Sequence, residues 1–572
     1  MITYKCKKCN QPTETSECPV CHERTYGESK LFWCAECNIP LYEGKCTICG
    51  KQSQYIATDL RPVFPEERLL IEIVLGKPFA FVKESVWNSK GIYFVNGKKI
   101  TFSLKNLSNV DAGSIREEYI GLSSDNTYEY FDRMIKCFID ANNTRFNEIV
   151  NEAVHYIQKV SENVDTGNMF VSFSGGKDST VTSDLVIGAL SNPQILHIFG
   201  DTTLEFPETI DYVARFKAQH KKTPVISSKS KDKDFLVLCE QIGPPSRVLR
   251  WCCTIFKTGA ITRKITSLLG DKKKILTFYG IRRSESTSRS KYDREADSPK
   301  IAKQIVVSPI IDWYDFDIWL YLLTTNIDFN RAYRFGYARV GCWCCPNNSG
   351  WSEFLSKIYM PDQYNRFHDV LIEFAKNVNK PDPEEYVDSG AWKARQGGNG
   401  LEIARKSIIS FEPCATEENA FNYDLQKPIT DEFYELFKPF GYINRELGNK
   451  RLGEVYILDN YGNVLLKLQG RVGSTNLKVT IIKRNIAGAR SLTVAEGKIK
   501  CQITKYQMCM DCRACEGVCK HNAITVKRLE NGNISYTIDD NKCVRCGECI
   551  GHFDAGCYMR KVLAIKRGNY DK

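Results

Sequence analysis

The spacing of the cysteines constrains this chain more than any other feature. Twenty of its 25 cysteines fall into regular metal-ligand patterns, in three blocks. The first is a repeat: Cys6-x2-Cys9-x8-Cys18-x2-Cys21 recurs, displaced by 28 positions, as Cys34-x2-Cys37-x8-Cys46-x2-Cys49. Each unit offers four thiolates from two short knuckles, the pattern of a closed tetrahedral zinc ribbon, with iron as the rival occupant. A closed site leaves no open coordination position, so its expected work is to fold a segment too short for its own core. Two zinc ions are therefore expected within residues 1–55.

Charge and length bound the remainder. A chain of 572 residues and 65.3 kDa divides into several domains. No apolar run reaches the roughly 18 residues that a membrane helix needs. The chain opens on Met-Ile-Thr-Tyr-Lys-Cys without an apolar signal region, so a cytoplasmic protein is expected, its Cys-x-x-Cys pairs holding metal rather than disulfides. The formal charge of +11 invites a nucleic-acid partner. Bound thiolates remove that signal: zinc sites would contribute about −4 and iron–sulfur clusters about −6, leaving the loaded protein near neutrality. Neither nucleic acid nor membrane is an expected partner.

A phosphate cradle lies in the middle of the chain. Met169-Phe-Val-Ser-Phe173 reads as a short apolar strand running into Ser174-Gly175-Gly176-Lys177-Asp178-Ser179, followed by a helical stretch from Val181 to Leu190. Strand, glycine turn and helix start aim backbone N–H groups and the positive helix end at an anion. Further strands at Ile195–Phe199, Thr223–Ser227 and Lys274–Tyr279 give a βαβ rhythm and predict a doubly wound parallel sheet. Ligands of such sheets bind at the carboxyl ends of the strands. Asp201 and Thr202, then Gly280, Arg282 and Arg283, fall at those ends, and Arg283 and Arg289 flank Glu285.

Four segments carry a resemblance: Arg247-Val-Leu-Arg250-Trp-Cys-Cys-Thr-Ile-Phe-Lys257, the run from Gly280 to Arg289, Ser308-Pro-Ile-Ile-Asp-Trp313, and Gly341-Cys-Trp-Cys-Cys-Pro346. With the glycine loop they resemble the phosphoadenylyl-sulfate (PAPS) and adenylyl-sulfate (APS) reductases, within the adenine-nucleotide alpha-hydrolase-like fold, over roughly residues 165–360. The resemblance implies one 4Fe-4S cluster on Cys252, Cys253, Cys342 and Cys345. It implies a nucleotide substrate, PAPS or APS, touching Ser174–Ser179, Asp201, Thr202, Arg247, Gly280 and Glu285. Lys177, Arg250, Lys257, Arg282, Arg283 and Arg289 are the expected catalytic cations around the phosphosulfate. ATP pyrophosphatases that transfer sulfur to tRNA or DNA share the glycine loop and form the alternative reading.

The chain departs from this resemblance at one point. Typical members carry a tail Glu-Cys-Gly-Leu-His whose cysteine attacks sulfur, and here only Glu548-Cys549-Ile-Gly-His552 comes near it, in the wrong order. Cys549 also completes Cys543-x2-Cys546-x2-Cys549, which with Cys557 partners the ferredoxin-type run Cys509-x2-Cys512-x2-Cys515-x3-Cys519. The fourth cysteine of each run usually ligates the other cluster. That assigns Cys509, Cys512, Cys515 and Cys557 to one 4Fe-4S centre and Cys543, Cys546, Cys549 and Cys519 to a second. Three clusters in all are expected, fed by an external low-potential donor, with electrons arriving by clusters rather than by disulfide exchange. Of the five cysteines outside these patterns, Cys344 and Cys501 are the candidate nucleophiles.

The expected organisation is two zinc ribbons (1–55), a small β-rich module (56–125), the reductase-like α/β domain (126–380), a loop and β-rich connection (381–500) and a ferredoxin domain (501–572), in a homodimer. The β-rich module rests on Leu69–Leu75, Gly91–Asn96 and Lys99–Ser103; residues 128–161 and 351–380 read as helical. His155, His197, His220 and His368 fit no triad or metal spacing.

Overall fold

The computed structural model describes residues 2–5, 9, 12–13, 18–21, 26–102, 107, 110–229, 234–247, 250–269, 274–286, 289–297, 304–394, 409–509, 515–516, 519–530, 533–551 and 565–567. Cys6, Cys512 and Cys557 lie outside the described residues, as do residues 395–408 of the basic loop that follows Lys393.

The centre is the parallel sheet that the βαβ rhythm predicts. Its strands are β1 (Met169–Phe173), β2 (Leu196–Asp201), β3 (Val225–Lys229), β4 (Ile275–Tyr279), β5 (Glu295–Asp297) and β6 (Gln304–Val307), in the order β3-β2-β1-β4-β6-β5, with only the edge strand β5 antiparallel. Helices α1 (Lys177–Leu190), α2 (Pro207–Gln219), α3 (Gly259–Leu269) and α4 (Asp315–Thr325) accompany it. The chain moves outward from β1 on one side through β2 and returns on the other through β4. The carboxyl ends of β1 and β4 therefore flank a switch point, where an open α/β sheet leaves a crevice for ligand.

One expected strand is a helix. Leu69–Leu75 falls almost wholly within the helix Pro65–Val74. Pro65 presets φ at the first turn, Glu66 and Glu67 face the positive helix end, and Arg68 and Glu72 pair at i,i+4 (3.5 Å). Burial on nearly every side erases the 3.6-residue polarity pattern that would have marked it. The module is thus mixed, a helix and the later Ala112–Leu122 helix beside a four-stranded antiparallel sheet of Arg61–Pro62, Val86–Ser89, Ile92–Val95 and Lys98–Lys99. Among the described residues of Lys99–Ser103 only Lys99 is in a strand.

Two expected boundaries also move. Strand Gln54–Ala57 crosses position 55 to pair with Leu31–Cys34 of the second ribbon. Helix Leu492–Met508 crosses position 500, and Ile565–Arg567 pairs in parallel with Ile409–Pro413. That pairing extends the connecting sheet, whose other strands include Glu454–Leu458 and Val464–Gln469 as the alternation predicts. The C-terminal cysteine region is therefore continuous with the sheet before it. The helical readings of 128–161 and 351–380 correspond to Glu129–Ala141, Asn143–Ser161, Gly350–Tyr359 and Pro361–Asn377.

Candidate active site and metal centres

The phosphate loop is built by close packing. Gly175 has φ +70° and a side chain there would run into Thr209. Gly280, at the end of β4, lies so close to Asp178 and Ser179 that a Cβ would sit 2.6 Å from the Asp178 carbonyl. Gly280 thus brings β4 against the first turn of α1, and Gly175 brings the loop against α2. The Ser179 hydroxyl donates to the Gly176 carbonyl (2.8 Å) and accepts from the Ser174 amide (3.2 Å), closing the loop on itself. The Lys177 amide donates to the Tyr333 hydroxyl (3.0 Å).

The cations expected around the phosphosulfate separate into two sets. Lys177 is 2% exposed and Arg282 3%. Lys177 Nζ lies 3.4 Å from Asp178 and 3.3 Å from Asp315, while Arg282 binds Asp178 and donates to Asp315 (2.7 Å). Burial pushes Asp178 up, but Arg282 and Lys177 outweigh it and hold the carboxyl below its usual range. Burial likewise disfavours the Asp315 anion, and Lys177 and then Arg282 outweigh it. A third carboxylate arrives from far away in sequence: Asp59, just after the ribbons, accepts from the amides of Asp315 (3.1 Å) and Phe316 (3.0 Å) at the start of α4. Burial and then the Asp315 charge push Asp59 up to about 7. Lys177 and Arg282 thus belong to a buried ionic knot beneath the loop.

The second set is open. Arg250 and Lys257 are exposed, as is Arg247, whose guanidinium donates to the Pro346 carbonyl (3.2 Å). Arg283 pairs with Asp312 and Arg289 with Glu285, both half-buried. Burial and then the neighbouring Arg339 push the Arg289 guanidinium down, so two cations converge there. Arg339, Asp315, Asp59 and Glu205 escaped the sequence reading. Asp315 sat within a helix-start pattern, whereas nothing local marks Asp59.

The four central cysteines meet beside this crevice. Cys252 and Cys253 lie where buried Trp251 leads into the π-helical turn Cys253–Thr258, a rare conformation that recurs at functional sites. The Cys252 thiol bonds to Cys253 and is pushed well up by that contact, then by burial, with Cys342 adding to it. Cys342 is bridged to Glu205 in antiparallel fashion, and its Sγ lies 3.5 Å from the Thr202 hydroxyl, which donates to Glu205 (2.7 Å). Burial pushes Cys345 up, Cys253 adds to this, and Arg250 and Arg339 oppose it. Four thiols backed by cations suit an anionic iron–sulfur cluster, whose charge the cations offset. Cys344 and Cys501 are both buried, at 6% and 0% exposure. A cavity of about 330 Å³ borders Cys344 and Cys345, walled by Trp343, Phe367 and Trp392, and touches no residue of the phosphate loop.

The ribbon cysteines are arranged differently. Cys34 and Cys49 sulfurs are 3.5 Å apart, and those of Cys37 and Cys46 3.7 Å. A zinc–sulfur bond of about 2.3 Å places tetrahedral ligands about 3.8 Å apart, so these thiols fit one metal ion. The Cys37 amide lies 3.4 Å from Cys34 Sγ, and a backbone bond from Lys51 holds Cys49 down to about 7. In the first ribbon Cys9, Cys18 and Cys21 converge in the same way, Cys9 and Cys18 at 3.9 Å.

At the C-terminus Cys519, Cys543, Cys546 and Cys549 line one cavity. Cys515, Cys549 and Cys509 lie by the buried Tyr536 ring. Among the described residues, neither these cysteines nor the central four gather three sulfurs within 4.8 Å of one another, as the ribbon cysteines do. A cubane, with iron at its own corners, holds its thiolates farther apart than a single ion. No helix among the described residues is long and apolar enough to cross a membrane.

Comparison with known proteins agrees with this division. The phosphoadenosine phosphosulfate reductase domain matches residues 168–348 and a 4Fe-4S dicluster domain matches 508–552. Two uncharacterized proteins of Methanocaldococcus jannaschii are each 31% identical, over 265 and 295 residues; the matches cover 46% and 52% of this chain but only 61% and 57% of theirs. An adenosine 5'-phosphosulfate reductase of Oceanobacillus iheyensis is 31% identical over 178 residues, 30% of this chain and 68% of the relative. The solved PAPS reductase of Candida auris aligns with 34% of this chain and 95% of its own, at 15% identity and a TM-score of 0.26. On its central domain the chain belongs to the PAPS/APS reductase family, and it carries in addition a 4Fe-4S dicluster ferredoxin domain.

Proposed function

We propose that the protein reduces a sulfonucleotide, PAPS in the first instance, to sulfite and adenosine 3',5'-bisphosphate. The S–O bond breaks with its electron pair on the departing phosphate oxygen, and two electrons enter at sulfur. The observation that carries this reading is the convergence of Cys252, Cys253, Cys342 and Cys345 beside the phosphate loop, at the carboxyl end of the sheet. When bound there and at the C-terminal cysteines, iron–sulfur clusters would supply electrons singly from an external low-potential donor. Zinc in the ribbons completes the proposed complement of two zinc ions and three clusters.

The residues divide the work. The loop N–H groups hold the nucleotide phosphate, kept in place by the Lys177–Asp178–Arg282–Asp315 knot beneath. Arg250 and Lys257 stand exposed at the mouth, with Arg289 half-buried beside Glu285, and they offset the charge that grows on the leaving phosphate, which is worth most where water is excluded. Burial of both Cys344 and Cys501 supports electron delivery without a thiol nucleophile. The related enzymes of known name act on APS, so the two substrates compete in the test.

The test is to reconstitute the full chain with iron and sulfide under anaerobic conditions and assay three products in parallel. Sulfite from PAPS, or from APS, with a low-potential donor is the expected result, and the ratio of the two kcat/KM values assigns the substrate. Pyrophosphate from ATP without sulfite would replace this reading with that of a sulfur-transferring pyrophosphatase.

A further inference from the structure

A buried lysine stands against one of the two C-terminal centres. Lys505, on helix Leu492–Met508, is only 4% exposed, and its ammonium donates to the Cys549 carbonyl at 2.9 Å. It also lies 5.9 Å from the centre of the Tyr536 ring, with Cys509 and Cys515 near the same tyrosine. A second cation touches the same cysteine set: Arg545 donates to the Cys543 carbonyl (2.8 Å). Arg545 is anchored by Asp540 (2.7 Å) and rests on Tyr442. Both contacts fall on Cys543 and Cys549, which belong to the group Cys519, Cys543, Cys546 and Cys549.

Lysine is rarely fully buried without cause, since removing its charge from water is costly. Here the cost has a counterpart. An iron–sulfur centre gains one negative charge on reduction, and its potential follows net charge, hydrogen bonding and exposure. A cation held beside it at low dielectric stabilises the reduced form far more than a solvated one could.

We propose that Lys505 raises the potential of the centre on Cys519, Cys543, Cys546 and Cys549, making it the electron-holding partner of the pair. With clusters bound, an electron from the low-potential donor would favour that centre over the one on Cys509, Cys512, Cys515 and Cys557. Arg545 acts in the same sense but less, because Asp540 offsets its charge. The proposal rests on the reading that these cysteines hold two clusters, and goes beyond it by ranking them.

The experiment is an EPR-monitored redox titration of the full, anaerobically reconstituted chain, with iron counted for each variant. Cys546→Ser identifies the signal of its own centre by losing it. In Lys505→Met, that centre's reduced-to-oxidised ratio at fixed potential falls at least tenfold, 59 mV for one electron. The other centres move less than threefold. Lys505→Arg restores the wild-type ratio, and Arg545→Gln gives a smaller fall. If Lys505→Met fails to take up iron, Lys505→Gln, which keeps a donor for the Cys549 carbonyl, is read instead against Lys505→Arg. An unmoved centre, or both ferredoxin-type centres moving together, overturns the proposal. Absence of any reducible ferredoxin-type signal in the wild type refutes the two-cluster reading itself, a different outcome.

Discussion

The second ribbon and the central site each use four cysteines, yet they are built in opposite ways. Cys34, Cys37, Cys46 and Cys49 come from 16 consecutive residues and close on one another with sulfurs 3.5–3.7 Å apart across the two pairs. Cys252, Cys253, Cys342 and Cys345 come from two segments that only the folded sheet brings together, under polar side chains and open arginines. A site made locally can fold its own segment. A site made by tertiary structure inherits the fold and is free to serve chemistry. If this difference is real, the two sites must fail differently when damaged.

The largest effect is expected in the ribbon. Binding of a structural zinc ion is worth about 10–16 kcal/mol in small Cys/His sites, nearly all of it folding energy. Cys37→Ser should therefore abolish metal uptake there and remove amide-exchange protection across residues 31–57, while iron content stays at the wild-type level. Loss of iron in parallel with the ribbon metal would erase the distinction between the two sites.

The cations give the next test. Lys177 sits in a closed ionic knot, and removing one partner of such a group typically costs about 3–5 kcal/mol. Lys177→Met should lower stability by that order in a denaturant titration. Lys257→Met, at an exposed position, should leave stability within about 0.5 kcal/mol. It should instead lower kcat/KM on the order of a hundredfold, about 3 kcal/mol of transition-state stabilisation. Equal stability losses from both would contradict the separation into knot and mouth.

The smallest effect concerns Asp59, which ties the segment after the ribbons to α4. Its ordinary value of 3.8 is raised to about 7, by burial first and by Asp315 second. The native state thus keeps a proton that the unfolded chain has lost, and this contribution to stability disappears as pH rises through about 7. Asp59→Asn cannot ionise. The Tm of the variant relative to wild type should therefore climb by a few degrees from about pH 5 to about pH 8. A constant difference would mean that Asp59 is ionised throughout.

Much of this was legible in the sequence because it is local. The ribbon spacing, the glycine loop after Met169–Phe173 and the ferredoxin runs depend on neighbours a few residues apart, and the parallel sheet follows from the βαβ rhythm. What stayed hidden was tertiary. Leu69–Leu75 read as a strand because a helix buried almost all round shows no polar face. Lys177 and Arg282 read as open cations because Asp315, which closes the knot with Asp178, lies far along the chain from both. Asp59 could not be seen, since the two α4 amides that it accepts from are more than 250 positions away.

The central claim is that electrons stored on this one chain reach a bound sulfonucleotide. The direct measurement is a single turnover: the full reconstituted chain is reduced, the donor is removed, and PAPS is added without oxygen. The three proposed one-electron clusters would hold enough for one two-electron reduction, so about one sulfite per chain is predicted, with loss of the reduced-cluster signal in step. Clusters that stay reduced in the presence of bound PAPS, with no sulfite released, would contradict the account.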